Sequence, residues 1–178
     1  MMTGESGEKI SRRTTLKRGA LVAGGAVLGI ASVPTTVAEP TEIDRCASLT
    51  EPGEYVLTAD LDTEGDCLSL GPGVTLDGNG HAISGNGAGI GLSFELGRDE
   101  SAAARDLRIT NFGAGAWVGS AGGDVTLEDV AITDSSAGIR SGAEANITVR
   151  DSVVSDNSVG VGPGDGARVS ITESTLSG

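Results

Sequence analysis

The chain has 178 residues, enough for one ordinary domain once a targeting segment is set aside. It contains one Trp, one Tyr and two Phe beside 29 Gly, so we expect a core built from Val, Ile, Leu and Ala rather than from aromatic rings. The formal net charge of −13 disfavours nucleic acid and anionic membrane surfaces as partners, because both repel a polyanion.

Residues 1–38 have the pattern of a twin-arginine signal peptide. Arg12 and Arg13 precede a weakly apolar stretch at residues 20–33, and small residues near Ala38 offer a cleavage site. A helix needs about 20 apolar residues to span the ~30 Å hydrocarbon layer, so this stretch is too short for a stable anchor. We expect a secreted or cell-surface protein without a membrane span in its mature form. An uncleaved tether is the alternative.

The charge of the mature chain is more extreme. Removing residues 1–38 takes away five basic and two acidic residues and leaves 7 basic and 23 acidic ones, a net charge of −16. All seven bases are Arg. Such a surface without Lys is typical of proteins from extreme halophiles, where salt screens self-repulsion within a few ångströms. We therefore predict a halophilic protein of archaeal source.

Two Cys residues lie in the segment that we interpret as an N-terminal cap and first coil, residues 39–73. Cys46 and Cys67 are 21 residues apart, close to the repeat length described below, and stacked coils would bring their Cα atoms within disulfide range. Export favours a disulfide. Buried free thiols or a metal site are the alternatives, although two Cys and one His are too few for a convincing zinc site.

Two further segments precede the clearest repeats. The run Asp77-Gly78-Asn79-Gly80 invites a calcium-loop or phosphate-loop interpretation, but the other ligands and the Lys of those motifs are missing, so a tight turn is favoured. Residues 91–105 break the period and predict a lateral loop. If the chain has a binding site, we expect it in that insertion.

The region 74–178 is repetitive. Residues 124–145 align without gaps on residues 146–167, and residues 168–178 begin a third copy, so the period is 22 residues. Apolar residues alternate over three to five positions and are then interrupted by Gly, Asp, Asn or Ser, as in short strands separated by turns. The superposed apolar columns are Val125/Ile147/Val169, Leu127/Val149/Ile171, Ile132/Val154/Leu176 and Ile139/Val161.

This pattern predicts an all-β fold, a single-stranded parallel β-helix of about six coils, in which each strand pairs with its counterpart one coil away. Gly115, Gly138 and Gly160 recur before an apolar residue, which predicts a corner with positive φ or close backbone approach. Hydroxyl columns are also expected to hydrogen-bond along the stack: Thr126/Thr148/Ser170 and Thr110/Thr133/Ser155/Ser177.

The segments 51–61, 66–70 and 74–85, together with the 22-residue repeats, resemble the pectin-lyase-like right-handed parallel β-helix superfamily, in particular its exported archaeal members. The resemblance covers essentially the whole mature chain. It implies a right-handed solenoid but leaves function open, because this superfamily includes lyases, hydrolases, adhesins and proteins without known activity.

Acidic side chains also recur by column and are weak candidates for a metal site. Carboxylates one coil apart could bind a hard cation such as Ca²⁺ or act as a hydrolytic pair. A solvated halophilic surface is the favoured interpretation, since 23 acidic residues must stack somewhere. We therefore expect no cofactor, with Ca²⁺ as the alternative. The candidates are Asp129, Asp151 and Glu173 in one column and Asp134 and Asp156, after Asn111, in another.

Catalytic motifs of the resembling enzymes are not matched. Pectate lyases pair Ca²⁺-binding Asp residues with an Arg or Lys base, and polygalacturonases carry Asp-rich motifs and a Gly-His-Gly. The single His, His81, lies in a predicted turn. Arg140 and Arg150 are expected to neutralise nearby acids. We predict no catalytic residue.

Phe112 and Trp117 lie in one predicted coil. They could stack on a sugar if both face outwards, although a lone Trp in such a coil more often packs under a loop.

Three functions follow. The leading hypothesis is a non-enzymatic binding or structural module at the cell surface, for glycans or envelope proteins. The alternatives are a polysaccharide lyase or hydrolase for acidic glycans, or its degenerate remnant, and a truncated solenoid that associates end to end.

Overall fold

A computed structural model describes residues 39–119 and 123–177. The predicted signal segment, residues 1–38, lies outside this part. Regular structure within it consists of seventeen short β-strands, with no helix. They are β1 (Thr41–Ile43), β2 (Ser48–Leu49), β3 (Gly53–Leu57), β4 (Leu61–Asp62), β5 (Leu68–Leu70), β6 (Val74–Asp77), β7 (Ala82–Ser84), β8 (Ile90–Phe94), β9 (Ser101–Thr110), β10 (Ala114–Val118), β11 (Asp124–Thr133), β12 (Ala137–Ser141), β13 (Asn146–Arg150), β14 (Val153–Ser155), β15 (Val159–Gly162), β16 (Arg168–Thr172) and β17 (Thr175–Leu176).

The strands form two sheets, and every pair is parallel. Sheet A has eleven strands. Seven of them follow the path β1-β3-β6-β9-β11-β13-β16, and the other four, β4, β7, β14 and β17, pair beside this path. Sheet B has six strands in the order β15-β12-β10-β8-β5-β2. The chain alternates between the sheets, so each turn of the solenoid, here called a coil, adds one layer to both. Six layers of sheet B confirm the predicted parallel β-helix of about six coils.

The strand register confirms the 22-residue repeat. Val125 pairs with Ile147, and Ile147 pairs with Val169. The other three predicted columns are also in register: Leu127/Val149/Ile171, Ile132/Val154/Leu176 and Ile139/Val161. Equivalent side chains lie over one another because paired residues of neighbouring parallel strands point to the same face of the sheet.

The core lies between the sheets. It is filled by the side chains that point inwards as the direction of successive side chains alternates along each strand. In β11, Val125, Leu127, Val130 and Ile132 are at most 2% exposed. The expectation of a core without aromatic rings is wrong in part, because Phe94 and Phe112 are fully buried.

The predicted glycine corner is a close approach rather than a positive φ. Gly115, Gly138 and Gly160 are not among the glycines with positive φ. A Cβ atom at Gly138 would lie 2.5 Å from Cγ1 of Val154 and 2.6 Å from the carbonyl oxygen of Gly160. There is therefore no room for a Cβ atom at Gly138, because this part of the backbone packs directly on the next coil.

The predicted disulfide is present. Cys46 and Cys67 are bonded, with their Cα atoms 4.4 Å apart. The bond joins neighbouring layers, since Ser48 of β2 pairs with Ser69 of β5 just beyond the two cysteines. It therefore links the first layer of sheet B covalently to the second.

The lateral loop predicted at residues 91–105 is wrong. Residues 91–94 belong to β8, and β9 begins at Ser101, which leaves only residues 95–100 as a turn between the sheets. Ala102 and Ala104 are buried and pair with Val125 and Leu127. In this coil small Ala residues occupy the inward positions that larger aliphatic residues fill in the other coils. The sequence therefore lacks the alternation of large apolar residues that predicts a strand.

Candidate functional site

The first acidic column lies at a bend of sheet A, within β11 at Asp129 and between two strands at Asp151 and Glu173, and the second column lies where the chain leaves sheet A for sheet B. Asp129 (φ 53°), Asp151 (φ 51°) and Glu173 (φ 51°) are all in the left-handed region. The second column behaves in the same way, with positive φ at Asn111, Asp134 and Asp156. Asp and Asn enter this region more readily than most residues with a side chain. The recurrence of acids at these positions thus has a conformational cause.

The structure adds Asp106 to the first column, with φ 48°. Asp106, Asp129 and Asp151 line one shallow cleft of about 130 Å³. Over residues 39–119 and 123–177, no three His, Cys, Asp or Glu side chains are grouped closely enough to hold a metal ion. Each column places one weak candidate per coil at the surface, and binding of Ca²⁺ by them stays the untested alternative to a solvated surface.

Other acids on the outer face of sheet A pair with Arg one coil away. Arg105 Nη2 lies 2.9 Å from Asp77 Oδ2, and Arg150 Nη2 lies 2.8 Å from Glu128 Oε2. The prediction that Arg150 neutralises an acid is confirmed. These four residues share one column, Asp77-Arg105-Glu128-Arg150, in which the sign of the charge alternates from coil to coil.

His81 takes part in a turn contact near the N-terminal end. Its Nδ1 lies 3.0 Å from Asp60 Oδ1, and the backbone N–H of Ala82 donates to the same oxygen at 2.9 Å. The hydrogen bond from Ala82 and then that from His81 hold the pKa of Asp60 below its ordinary value. Both contacts join residues about one coil apart, which is consistent with a structural role.

The run Asp77-Gly78-Asn79-Gly80 forms a tight turn. The backbone N–H of Asn79 donates to Asp77 Oδ1 at 2.8 Å, as in an Asx turn, and Asn79 has φ 51°. The carboxylate of Asp77 is already engaged by this N–H and by Arg105. The turn interpretation is confirmed.

The outer face of sheet B carries a different column. Successive layers place one outward residue each in register: Ser48, Ser69, Ser93, Trp117, Arg140 and Gly162. Trp117 is half-buried on the outer surface, whereas its neighbours Ala116 and Val118 are buried in the core. Sheet B therefore presents one large aromatic side chain between small hydroxyl residues and an Arg.

Arg140 contacts this Trp rather than an acid. Its guanidinium carbon lies over the indole, 5.8 Å from the ring centroid, within cation–π range. The prediction that Arg140 neutralises a nearby Asp or Glu is therefore wrong. The alternative in which Phe112 and Trp117 both face outwards is excluded, because Phe112 is fully buried.

Depressions lie on both sides of the Trp117–Arg140 pair. One, of about 380 Å³, is formed around Ser48, Ser69 and Ser93, with Asp66 and Glu95 also lining it. The other, of about 480 Å³, is lined by Arg140, Val159 and Pro163 among others. We call the outer face of sheet B from Ser48 to Gly162 the sheet B surface.

Sequence reasoning missed the serine column. Ser48 and Ser69 are 21 residues apart, but Ser69 and Ser93 are 24 apart, because the turn before β8 is longer. A comparison that used a fixed 22-residue period could not align them. An alignment that started from the apolar residues flanking each serine could have done so.

No protein-family model, no curated protein and no solved structure matches this chain. In the part of the chain that the structure describes, no helix is long and apolar enough to cross a membrane.

Proposed function

We propose that the protein is an exported, halophilic β-helix that acts as a non-enzymatic binding or structural module at the cell surface or in the medium. The observation that carries this proposal is the structural use of its carboxylates. Asp129 and Asp151 hold left-handed backbone conformations, and Asp77 and Glu128 bind Arg. These acids serve the solenoid itself, and the sheet B surface offers a face for contact with a partner.

Membership of the pectin-lyase-like superfamily is part of this proposal. Its support is the parallel solenoid together with the sequence resemblance described above. Because that superfamily includes polysaccharide lyases and hydrolases, the competing function is cleavage of an acidic glycan.

Incubation with pectin, polygalacturonate and alginate, with and without Ca²⁺ and at low and high salt, separates the two functions. We expect no unsaturated or reducing ends above those of a heat-denatured sample. Sustained release of either product by the purified chain, lost on unfolding, would contradict the non-enzymatic function.

Export through the twin-arginine route is tested by expression of the full chain in a host that has this pathway. We expect a protein processed near Ala38 outside the cytoplasm, and retention inside when Arg12 and Arg13 are both replaced by Lys. Equal export of the two forms would contradict the proposal.

End-to-end association is a second candidate, favoured by apolar exposure at the last described layers. Val159 is 48% exposed, Ile171 38% and Leu176 41%, although each continues a column that is buried or nearly buried in earlier coils. A second copy could cover these side chains and extend the parallel ladders. High salt should favour this contact, because both copies are strongly acidic.

Light scattering at low and high salt tests this association. We expect larger species at high salt for the natural chain and a monomer for Ile171→Glu. Thr148→Glu, at an exposed position of the same sheet, is the control and should associate normally. A monomer under all conditions would contradict the association.

A further inference from the structure

The Trp117–Arg140 pair divides the sheet B surface into two unlike halves. Arg140 comes from the coil after Trp117, and its guanidinium covers the indole from that side. Ser93 comes from the coil before it and carries only a small side chain. In the strand register Trp117 lies between Arg140 and Ser93, so the groove around Ser93 adjoins Trp117 on the side away from Arg140.

That groove presents hydroxyl and carboxylate groups beside the apolar side chains of its lining. Its floor carries Ser48, Ser69 and Ser93, one hydroxyl per coil, and the carboxylates of Asp66 and Glu95 also line it. Hydroxyls both donate and accept hydrogen bonds, and carboxylates accept them strongly. An aromatic face beside such groups fits a pyranose ring, whose C–H face packs on the indole while its hydroxyls reach the polar groups.

The charge of the groove selects among glycans. Asp66 and Glu95 would repel a uronate or a sulfated sugar, whereas both can accept hydrogen bonds from the hydroxyls of a neutral one. Arg140 already lies over the ring of Trp117 and lines the other depression. Successive serines are ~4.8 Å apart along the solenoid, close to the length of one pyranose unit.

We propose that the groove around Ser48, Ser69 and Ser93, together with Trp117 next to Ser93 in the register, binds a neutral, hydroxyl-rich oligosaccharide along the solenoid axis. This inference rests on the proposed binding function and specifies its ligand. It differs from the competing enzymatic function in the charge of the sugar.

The protein contains a single Trp, so its fluorescence reports on this groove directly. The test titrates the protein with cellohexaose, maltohexaose and mannohexaose, and with hexagalacturonate for comparison, each up to about 10 mM, where a millimolar Kd still registers. We expect a saturable emission change with at least one neutral hexamer and a weaker one or none with hexagalacturonate. No saturable change with any neutral hexamer, or tighter binding of hexagalacturonate, overturns the proposal.

Substitutions at Ser93 and Trp117, with a control at Thr126, locate the binding. Ser93→Arg should abolish the emission change by filling the groove, whereas Thr126→Arg, at an outward position of sheet A, should leave it intact. Trp117→Ala, followed by calorimetry, should weaken binding at least about fivefold, and Trp117→Phe should restore part of it because a ring remains. All three substituted side chains are on the outside, so the fold should survive, and circular dichroism checks this. Binding unchanged in Ser93→Arg and Trp117→Ala overturns the groove assignment.

Product analysis of the same mixtures separates the two proposals. Binding without cleavage supports both. Cleavage of the bound hexamer refutes the non-enzymatic function but leaves the groove assignment standing. Failure to bind any neutral hexamer refutes the groove alone, since a module could still contact an envelope protein.

Discussion

The hydroxyl oxygen of Ser152 lies 3.1 Å from the backbone nitrogen of Val130, the residue that holds the same position one coil earlier. Ser152 also donates its hydroxyl proton to the carbonyl oxygen of Arg150. The pattern continues upwards, because Ser174 Oγ accepts from the backbone N–H of Ser152. The residues that follow Asp129 and Asp151 thus direct a backbone N–H to the next coil, where a serine hydroxyl accepts it.

Replacing Ser152 by Ala should therefore destabilise the fold. The N–H of Val130, a residue only 2% exposed, would lose its acceptor, and a buried unpaired N–H costs about 1–3 kcal/mol in the free energy of unfolding. Urea denaturation followed by circular dichroism measures this. Thr148→Ala, at an exposed position of the preceding strand, is the control, with an expected change of about 0.5 kcal/mol or less. Equal stability of the two variants would refute this role of Ser152.

The glycine column gives a matched pair. Gly138→Ala should cost about 1–3 kcal/mol, because the added methyl group meets Val154 and the backbone of Gly160. At Gly160 an added Cβ has nothing within 4 Å, so Gly160→Ala should be close to neutral. Thermal unfolding of the two variants side by side checks the prediction. A larger loss at Gly160 than at Gly138 would show that coil stacking does not cause the requirement for glycine.

The disulfide should stabilise the first coils. In the chain-entropy model, closing a loop of 21 residues contributes about 3 kcal/mol. We expect the double variant Cys46→Ser/Cys67→Ser to lose about this amount and to become sensitive to protease in β1 to β4 first. Addition of a reductant should lower the stability of the natural chain but not that of the double variant. Full stability of the natural chain after verified reduction would contradict the prediction.

Asp60 should confer a pH dependence. Its folded pKa is lowered, chiefly by the hydrogen bond from Ala82 and then by His81. The stabilisation is therefore complete above the unfolded pKa of an aspartate and is lost as the pH falls through the lower folded value. Asp60→Asn should flatten this part of the profile of stability against pH. A carboxyl resonance of Asp60 that titrates at the same pH in folded and urea-unfolded protein would contradict the assignment.

Sequence periodicity predicted the solenoid because aliphatic columns such as Val125, Ile147 and Val169 recur at a fixed spacing. It failed where the spacing or the residue size changed. Ala102 and Ala104 fill the core at β9 without an alternating pattern of large residues, so a strand was interpreted as a loop.

The candidate site was harder to predict, because it depends on the face of the sheet to which each residue belongs. The column from Ser48 to Trp117 crosses turns of unequal length, which a constant period does not align. The partner of Arg140 was missed for a related reason. Charge alone favoured an acid, whereas the register places Arg140 directly next to Trp117 on the outer face of sheet B.

The stacking of residues 22 positions apart is tested most directly by an engineered cross-link. Thr126 and Thr148 pair across adjacent coils with outward side chains, and parallel neighbours lie ~4.8 Å apart, within the Cα range of a disulfide. Thr126→Cys/Thr148→Cys should oxidise to a new intramolecular disulfide, identified by peptide mapping, while Cys46–Cys67 stays intact. Thr126→Cys/Ser170→Cys, two coils apart, should remain reduced. A bond in the second variant, or none in the first, would contradict the stacked register.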